Sequence, residues 1–251
     1  MESVRVVRIG HACILINIEG KNILTDPWFS EKIGYYRKEP LGMHIKDLPH
    51  LDAVIVSHGH YDHYDMDAFK EYADKSVPFF VRKGIGAVAT AAGFVNVTEL
   101  DHWQEVYVGD IKIIATPAKH MIPENTYIIQ HNDFTLFFGA DSLFIPEFVQ
   151  VAKKFPRIDL AFLPVNGLTI RPLLNKQVVM TAQEAGKLCA ILKPKIAIPI
   201  HYAFTGGKLR DLFLLKYRGT AQEFVQAARN YAPQTMVKIL PTGQAFEMSG
   251  G

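Results

Sequence analysis

Residues Ser57-His58-Gly59-His60-Tyr61-Asp62-His63-Tyr64-Asp65 constrain this chain more than any other stretch. They follow Ala53-Val54-Ile55-Val56, a short apolar, β-branched run that reads as a buried strand. They precede a helical pattern from Met66 to Lys75. Three histidines and Asp62 therefore crowd onto one strand-to-helix loop, where Gly59 is expected to permit a sharp backbone path. Imidazole and carboxylate bind first-row metal ions. Packing offers no reason for such a density of them at a strand end. His58 and His60 are expected on one side of the loop, with Asp62 and His63 one turn on. Four such groups can serve two ions, provided other strand ends add ligands.

Three positions meet that condition. Thr116-Pro117-Ala118-Lys119-His120 and Ile198-Pro199-Ile200-His201 each place a histidine just after a strand-like run, and Phe138-Gly139-Ala140-Asp141 places an aspartate there. Alone, each has an ordinary explanation as a surface histidine or a turn aspartate. Together with residues 58–63 they complete a metal site.

The remaining sequence reads as an α+β chain. Val4 to Ile9, Cys13 to Ile18 and Ile23 to Thr25 form an opening meander. Phe79 to Val81, Val97 to Leu100, Val106 to Val108 and Ile111 to Thr116 are further strands, and Asn125 to Gln130 with Phe134 to Phe138 make a hairpin. Leu160 to Pro164, Ile196 to Ile200 and Val237 to Leu240 close the set. Helices are expected over 84–92, 146–155 and 185–192, the last behind a Thr181-x-x-Glu184 capping box, and over 208–230 with a break near Gly219. The two halves share one plan, a meander and then strand–helix units. This implies a two-sheet core with helices outside, in a single domain over 1–251.

At 251 residues, with 49% hydrophobic and 21% charged side chains, the chain can bury a sizeable core and is not disordered. A net charge of +2 gives no reason to expect a nucleic-acid partner. Cys13 and Cys189 are too few for a disulfide framework and suit a reducing cytoplasm. No secretory leader and no run of membrane-spanning length is visible, so a cytoplasmic location without stable membrane insertion is expected.

The order His58-x-His60-x-Asp62-His63, His120, Asp141, His201 resembles the metallo-β-lactamase superfamily. Segments such as Ile9-Gly10-His11-Ala12, Leu24-Thr25-Asp26-Pro27, Glu99-Leu100-Asp101-His102-Trp103 and Pro199-Ile200-His201-Tyr202 are similar to one branch. That branch includes N-acylphosphatidylethanolamine-hydrolysing phospholipase D and ascorbate-6-phosphate lactonase-like proteins. The resemblance implies a four-layer αβ/βα sandwich with two mixed sheets and helices outside. It implies that His58, His60 and His120 bind one divalent ion, that Asp62, His63 and His201 bind a second, and that Asp141 bridges them. The donor set suits zinc, with manganese as the alternative. Related di-iron proteins carry Glu where this chain has His60, which disfavours redox chemistry.

A dinuclear site of this kind points to hydrolysis by a metal-bound hydroxide. The expected substrate is a small soluble phosphodiester or a lactone or other ester. Asp62 is the expected proton carrier. His11, in the turn between the first two strands, is expected near the metals. Asp26 is either a turn residue or a group that orients a ligand histidine. Tyr202 is a candidate oxyanion donor, and Arg171 a candidate for pairing with a substrate anion. The loops at 28–49 and 166–180 are expected to select the substrate. A nuclease and a non-catalytic metal-binding module are the competing readings, and a homo-oligomer is left open.

Overall fold

In the computed structural model, which describes residues 3–249, two seven-stranded sheets face each other across an apolar core. The first sheet runs in the order Ala245–Ser249, Ser3–Gly10, Cys13–Ile18, Lys21–Thr25, Ala53–Val56, Phe79–Arg82, Val97–Leu100. Its first four strands pair antiparallel, and parallel pairing takes over from Lys21–Thr25 onward. The second sheet repeats the plan. Glu105–Val108, Ile111–Pro117, Asn125–His131 and Phe134–Phe138 are an antiparallel meander, followed by Leu160–Pro164, Ile196–Ile200 and Met236–Val237 in parallel.

Strand periodicity explains the layers. Ala53 and Ile55 face the central core with Ile113, Tyr127 and Phe138 of the other sheet. Val54 and Val56 point the opposite way, against Phe69, Tyr72 and Ala89 of the first outer layer. On the far side, Phe137, Leu163 and Ala197 pack against Phe148, Leu188 and Phe224 from the helices Phe148–Lys154, Ala182–Leu192 and Ala221–Tyr231. This is the four-layer sandwich expected from the sequence.

The two sheets are also tied by hydrogen bonds beside the histidine loop. Asn125 N–H donates to the Ser57 carbonyl at 3.0 Å, and the Tyr127 hydroxyl donates to the Val56 carbonyl at 2.9 Å. The strand that delivers the histidines is thus held against the opposite sheet.

Several elements differ from expectation. The helix after the loop covers only Met66–Phe69, capped by the Asp65 carboxylate at Ala68 N–H. The pattern at 208–230 is broken before Ala221 as expected, into helices Lys208–Phe213 and Ala221–Tyr231, but the break holds a short strand, Leu215–Lys216, that was not expected. Leu215 is buried and pairs with Ile170, and the backbone at Gly219 runs so close to the Val165 carbonyl oxygen that a Cβ there would stand 1.9 Å from it. The last strand, Ala245–Ser249, is an addition that covers the edge at Ser3–Gly10. Two small sheets were also invisible to pattern reading. Thr169–Ile170 joins Lys176–Gln177 and Leu215–Lys216, while Phe204–Thr205 joins Tyr36–Arg37.

Candidate metal centre

Six strand ends meet at one edge of the sandwich. From the first sheet come His11, Asp26 and the loop opening at Ser57; from the second come His120, Asp141 and His201. His11, Asp26, Ala140 and His201 adopt left-handed backbone at φ 51°, 38°, 46° and 58°. Each such turn costs on the order of 1 kcal/mol for a residue with a side chain. Four of them together mark an edge shaped for its side chains rather than for stability. Gly59, by contrast, has no positive φ, and a Cβ there would lie at ordinary distance from Ile85 and Ile122. The expectation that glycine is needed at that bend is not upheld.

Two ligand groups result. His58, His60 and His120 form the first; Asp62, His63, His201 and also His11 form the second, each set with its donor atoms within 4.8 Å of one another. His58, His63 and Asp141 form a third set that joins them. The seven residues expected to bind metal therefore all converge.

The hydrogen bonds around the site show which nitrogen faces inward. His120 Nδ1 donates to the Val178 carbonyl at 2.7 Å, which leaves Nε2 with a lone pair. Ser57 Oγ donates to Asp26 at 2.7 Å and accepts from His58 Nδ1 at 2.9 Å, so His58 Nε2 is also a lone pair. These two nitrogens lie 3.1 and 2.9 Å from His60 Nδ1. At most one proton, on His60 Nδ1, is shared among these three imidazole nitrogens. In the second group, His63 Nδ1 donates to Asp26 at 2.7 Å, while His63 Nε2 and His201 Nε2 lie 3.2 and 2.7 Å from the same Asp141 oxygen. His11 Nε2 lies 3.3 Å from Asp62. The other Asp141 oxygen, His63 Nε2 and both His11 nitrogens are buried without a hydrogen-bond partner. Such converging acceptors fit divalent ions.

Electrostatics agree. Burial, reinforced by neighbouring histidines, keeps His58 well below its ordinary range and holds His120 at about 4 and His11 at about 3. These rings are neutral at pH 7, as ligands must be. Burial alone would push Asp62 and Asp141 up, but His11 and His63 hold the first below the usual carboxylate range, and His201 and His63 the second. Burial would likewise lower His63; Asp141 and Asp26 outweigh it and hold it well above its ordinary value in the absence of metal.

Asp26 thus serves both groups, directly at His63 and through Ser57 at His58. Glu124 was missed by sequence reading. It is buried, accepts from Asp141 N–H at 2.9 Å and lies 3.3 Å from His58 Nδ1. Nothing local in Ile122-Pro123-Glu124-Asn125 distinguishes it from a loop glutamate. Asp65 holds the frame rather than a metal, accepting from Phe29 and Ser30 N–H as well as capping its helix.

A cavity of about 310 Å³ is lined by His60, Asp62, His120, Asp141 and His201 together with Tyr35, Ile170, Phe204, Arg210 and Leu215. It brings the 28–49 and 166–180 loops together at the cluster. Two residues singled out in the sequence lie elsewhere. Arg171 is exposed, does not line the cavity and donates its Nε–H to the Leu215 carbonyl; Arg210 lines the cavity instead. Tyr202 packs under the Arg8 guanidinium, 4.9 Å from the ring centre, and against the outer helical layer. His11 is at the cluster, 4.0 Å from the His201 ring, with Trp28 edge-on at 5.1 Å. A larger hollow of about 620 Å³ between Leu41, Ile45, Ala68 and Tyr72 contains none of the converging ligands.

Comparison with known proteins agrees with this geometry. A family model described as a beta-lactamase superfamily domain matches residues 21–202. The chain belongs to the metallo-β-lactamase superfamily. Within it, this chain is 30% identical to N-acyl-phosphatidylethanolamine-hydrolyzing phospholipase D 1 of Caenorhabditis elegans, over 96% of this chain and 75% of that one. It is also 30% identical to an uncharacterized protein of Mycobacterium tuberculosis, over 63% of this chain; the chain spans about half (47%) the length of that relative. Among solved structures, the superfamily fold is shared with Igni18, a metallo hydrolase of Ignicoccus hospitalis, at TM-score 0.76, 18% identity and 99% and 100% coverage of the two chains.

Proposed function

We propose that this metallo-β-lactamase superfamily member is a metal-dependent hydrolase that holds two zinc ions and acts on a phosphodiester carrying an apolar substituent. The carrying observation is the pair of ligand groups joined at Asp141, with the Nδ1 atoms of His58, His120 and His63 anchored by hydrogen bonds so that their Nε2 atoms face the cluster. His58, His60 and His120 would hold one ion, and Asp62, His63 and His201 the other, with Asp141 shared. Ions there lower the pKa of water and polarise a phosphoryl or carbonyl oxygen.

The chain's own residues supply the rest. Asp62 is the carboxylate placed to accept a proton, with His11 Nε2 3.3 Å from it. Arg210, the one Lys or Arg side chain among the described residues lining the cavity, binds an anionic substrate group. Its tie to the Gly34 carbonyl at 3.0 Å leaves further N–H donors available. Leu168, Ile170, Phe204 and Leu215 receive the apolar part. That cation favours the phosphodiester over a neutral lactone, and the name of the nematode relative supports the same class.

The test is turnover by metal-loaded protein of bis(p-nitrophenyl) phosphate, a lactone, a thioester, a β-lactam and RNA in parallel. The expected result is phosphodiester cleavage that is lost in both His60→Ala and Asp141→Ala. Preferred lactone hydrolysis would select the ester alternative, preferred RNA cleavage the nuclease. Metal bound without turnover of any of these substrates would leave the non-catalytic metal-binding module.

A further inference from the structure

We propose that the rim of the cavity docks on an anionic phospholipid surface. Three segments far apart in sequence meet there. Arg210 Nη1 donates to the Gly34 carbonyl, which brings the 208–214 helix against the 31–36 turn. Arg171 N–H donates to the Leu214 carbonyl at 2.8 Å, which brings the 171–175 turn against the other end of that helix.

Each segment presents large apolar side chains to solvent. Ile33 is 90% exposed, Leu174 97%, Leu209 75%, and Leu212 and Phe213 are more than half exposed. Leu174 also sits at φ 54°, a conformation that costs a bulky residue energy. Neither its exposure nor its backbone serves the packing of the fold. Single exposed leucines are ordinary, but apolar groups gathered on one rim mark an interaction surface.

Charge selects the occupant. On the same segments and the strands beside them, Lys32, Arg171, Lys176, Lys208 and Lys216 are exposed. Glu31 and Asp211 are the acidic residues there. Glu31 accepts from Arg37 N–H, and Asp211 is held by Thr205, Gly206 N–H and Tyr217. A chain of net charge +2 thus concentrates cations around its apolar rim. A second copy of the same face would be repelled by like charge. An anionic bilayer offers what the rim lacks, acyl chains for the leucines and phosphates for the lysines. No helix among the described residues is long and apolar enough to cross a membrane, so the contact is peripheral. This inference rests on exposure and charge and is independent of the reaction proposed above.

Co-sedimentation of the full chain with phosphatidylcholine vesicles, with and without phosphatidylglycerol, tests it. Binding is expected only to the anionic vesicles and is expected to fall with added salt. The double variant Lys176→Gln/Lys208→Gln should weaken binding about fivefold per charge removed. Leu174→Asn/Leu212→Gln should weaken it by about tenfold or more. These positions are exposed, so an unchanged melting temperature and metal content would show that the fold is intact. No binding, equal binding to neutral vesicles, or binding unmoved by these variants would overturn the proposal. A concentration-dependent dimer in light scattering that the apolar variants dissolve would assign the rim to a second copy and overturn it too.

Discussion

Asp26 Oδ2 accepts the Nδ1–H of His63 at 2.7 Å, and both side chains are fully buried. Through Ser57 the same carboxylate also orients His58. One residue outside both candidate ligand groups therefore sets the tautomer of a histidine in each. Removing such an anchor typically lowers metal affinity about 10–100-fold. Asp26→Ala should do so for both ions, read by competition with a chromophoric chelator. Affinity within about twofold of wild type would mean that the two rings are held by packing alone.

Metal and proton compete at His63. Without metal the ring sits between Asp26 and Asp141 and is held protonated well above its ordinary range. An ion can bind Nε2 only after that proton leaves. Zinc binding at pH 7 should release about one proton per chain from this ring. The observed calorimetric enthalpy should then scale with the ionisation enthalpy of the buffer. The same enthalpy in all buffers would contradict the assignment.

Arg210 places a guanidinium on the cavity wall. Arg210→Ala should raise KM for bis(p-nitrophenyl) phosphate about tenfold, the value of a partly exposed charge-assisted hydrogen bond. A neutral ester should be nearly indifferent, and Arg210→Lys should recover part of the loss. Equal effects on anionic and neutral substrates would show that Arg210 only supports the 34–35 turn.

Burial, and then neighbouring His201, hold His11 down at about 3 in place of 6.5. Below pH 6.5 the unfolded chain takes up a proton there that the folded chain refuses. In metal-free protein this contribution to stability is complete above pH 6.5 and is lost as pH falls towards 3, on the order of 5 kcal/mol over the whole window. His11→Asn keeps a residue that tolerates the left-handed backbone and removes the titration. Denaturant midpoints from pH 7 to pH 4 should therefore fall less steeply in the variant; parallel slopes would count against a neutral buried His11.

The parts of this protein that follow from local pattern were legible in the sequence. Alternating and continuous apolar runs identify most strands of both sheets, because burial on one or two faces writes itself into residue order. The ligand residues stand out because His58, His60, Asp62 and His63 share one loop and the others end strands. Tertiary structure decided what depends on separate segments meeting. Glu124 gains its role only because the loop before Asn125–His131 crosses behind His58 and Asp141. Arg171 and Arg210 look alike in sequence, and backbone pairing of Thr169–Ile170 with Leu215–Lys216 turns one outward and brings the other to the cavity. The short strands around the cavity carry too few residues to show a period, and the apolar rim comes from three stretches, none of them amphipathic enough alone to be read as a surface. The candidate metal ligands were written in one loop and three strand ends; the walls of the cavity beside them exist only once the chain has folded.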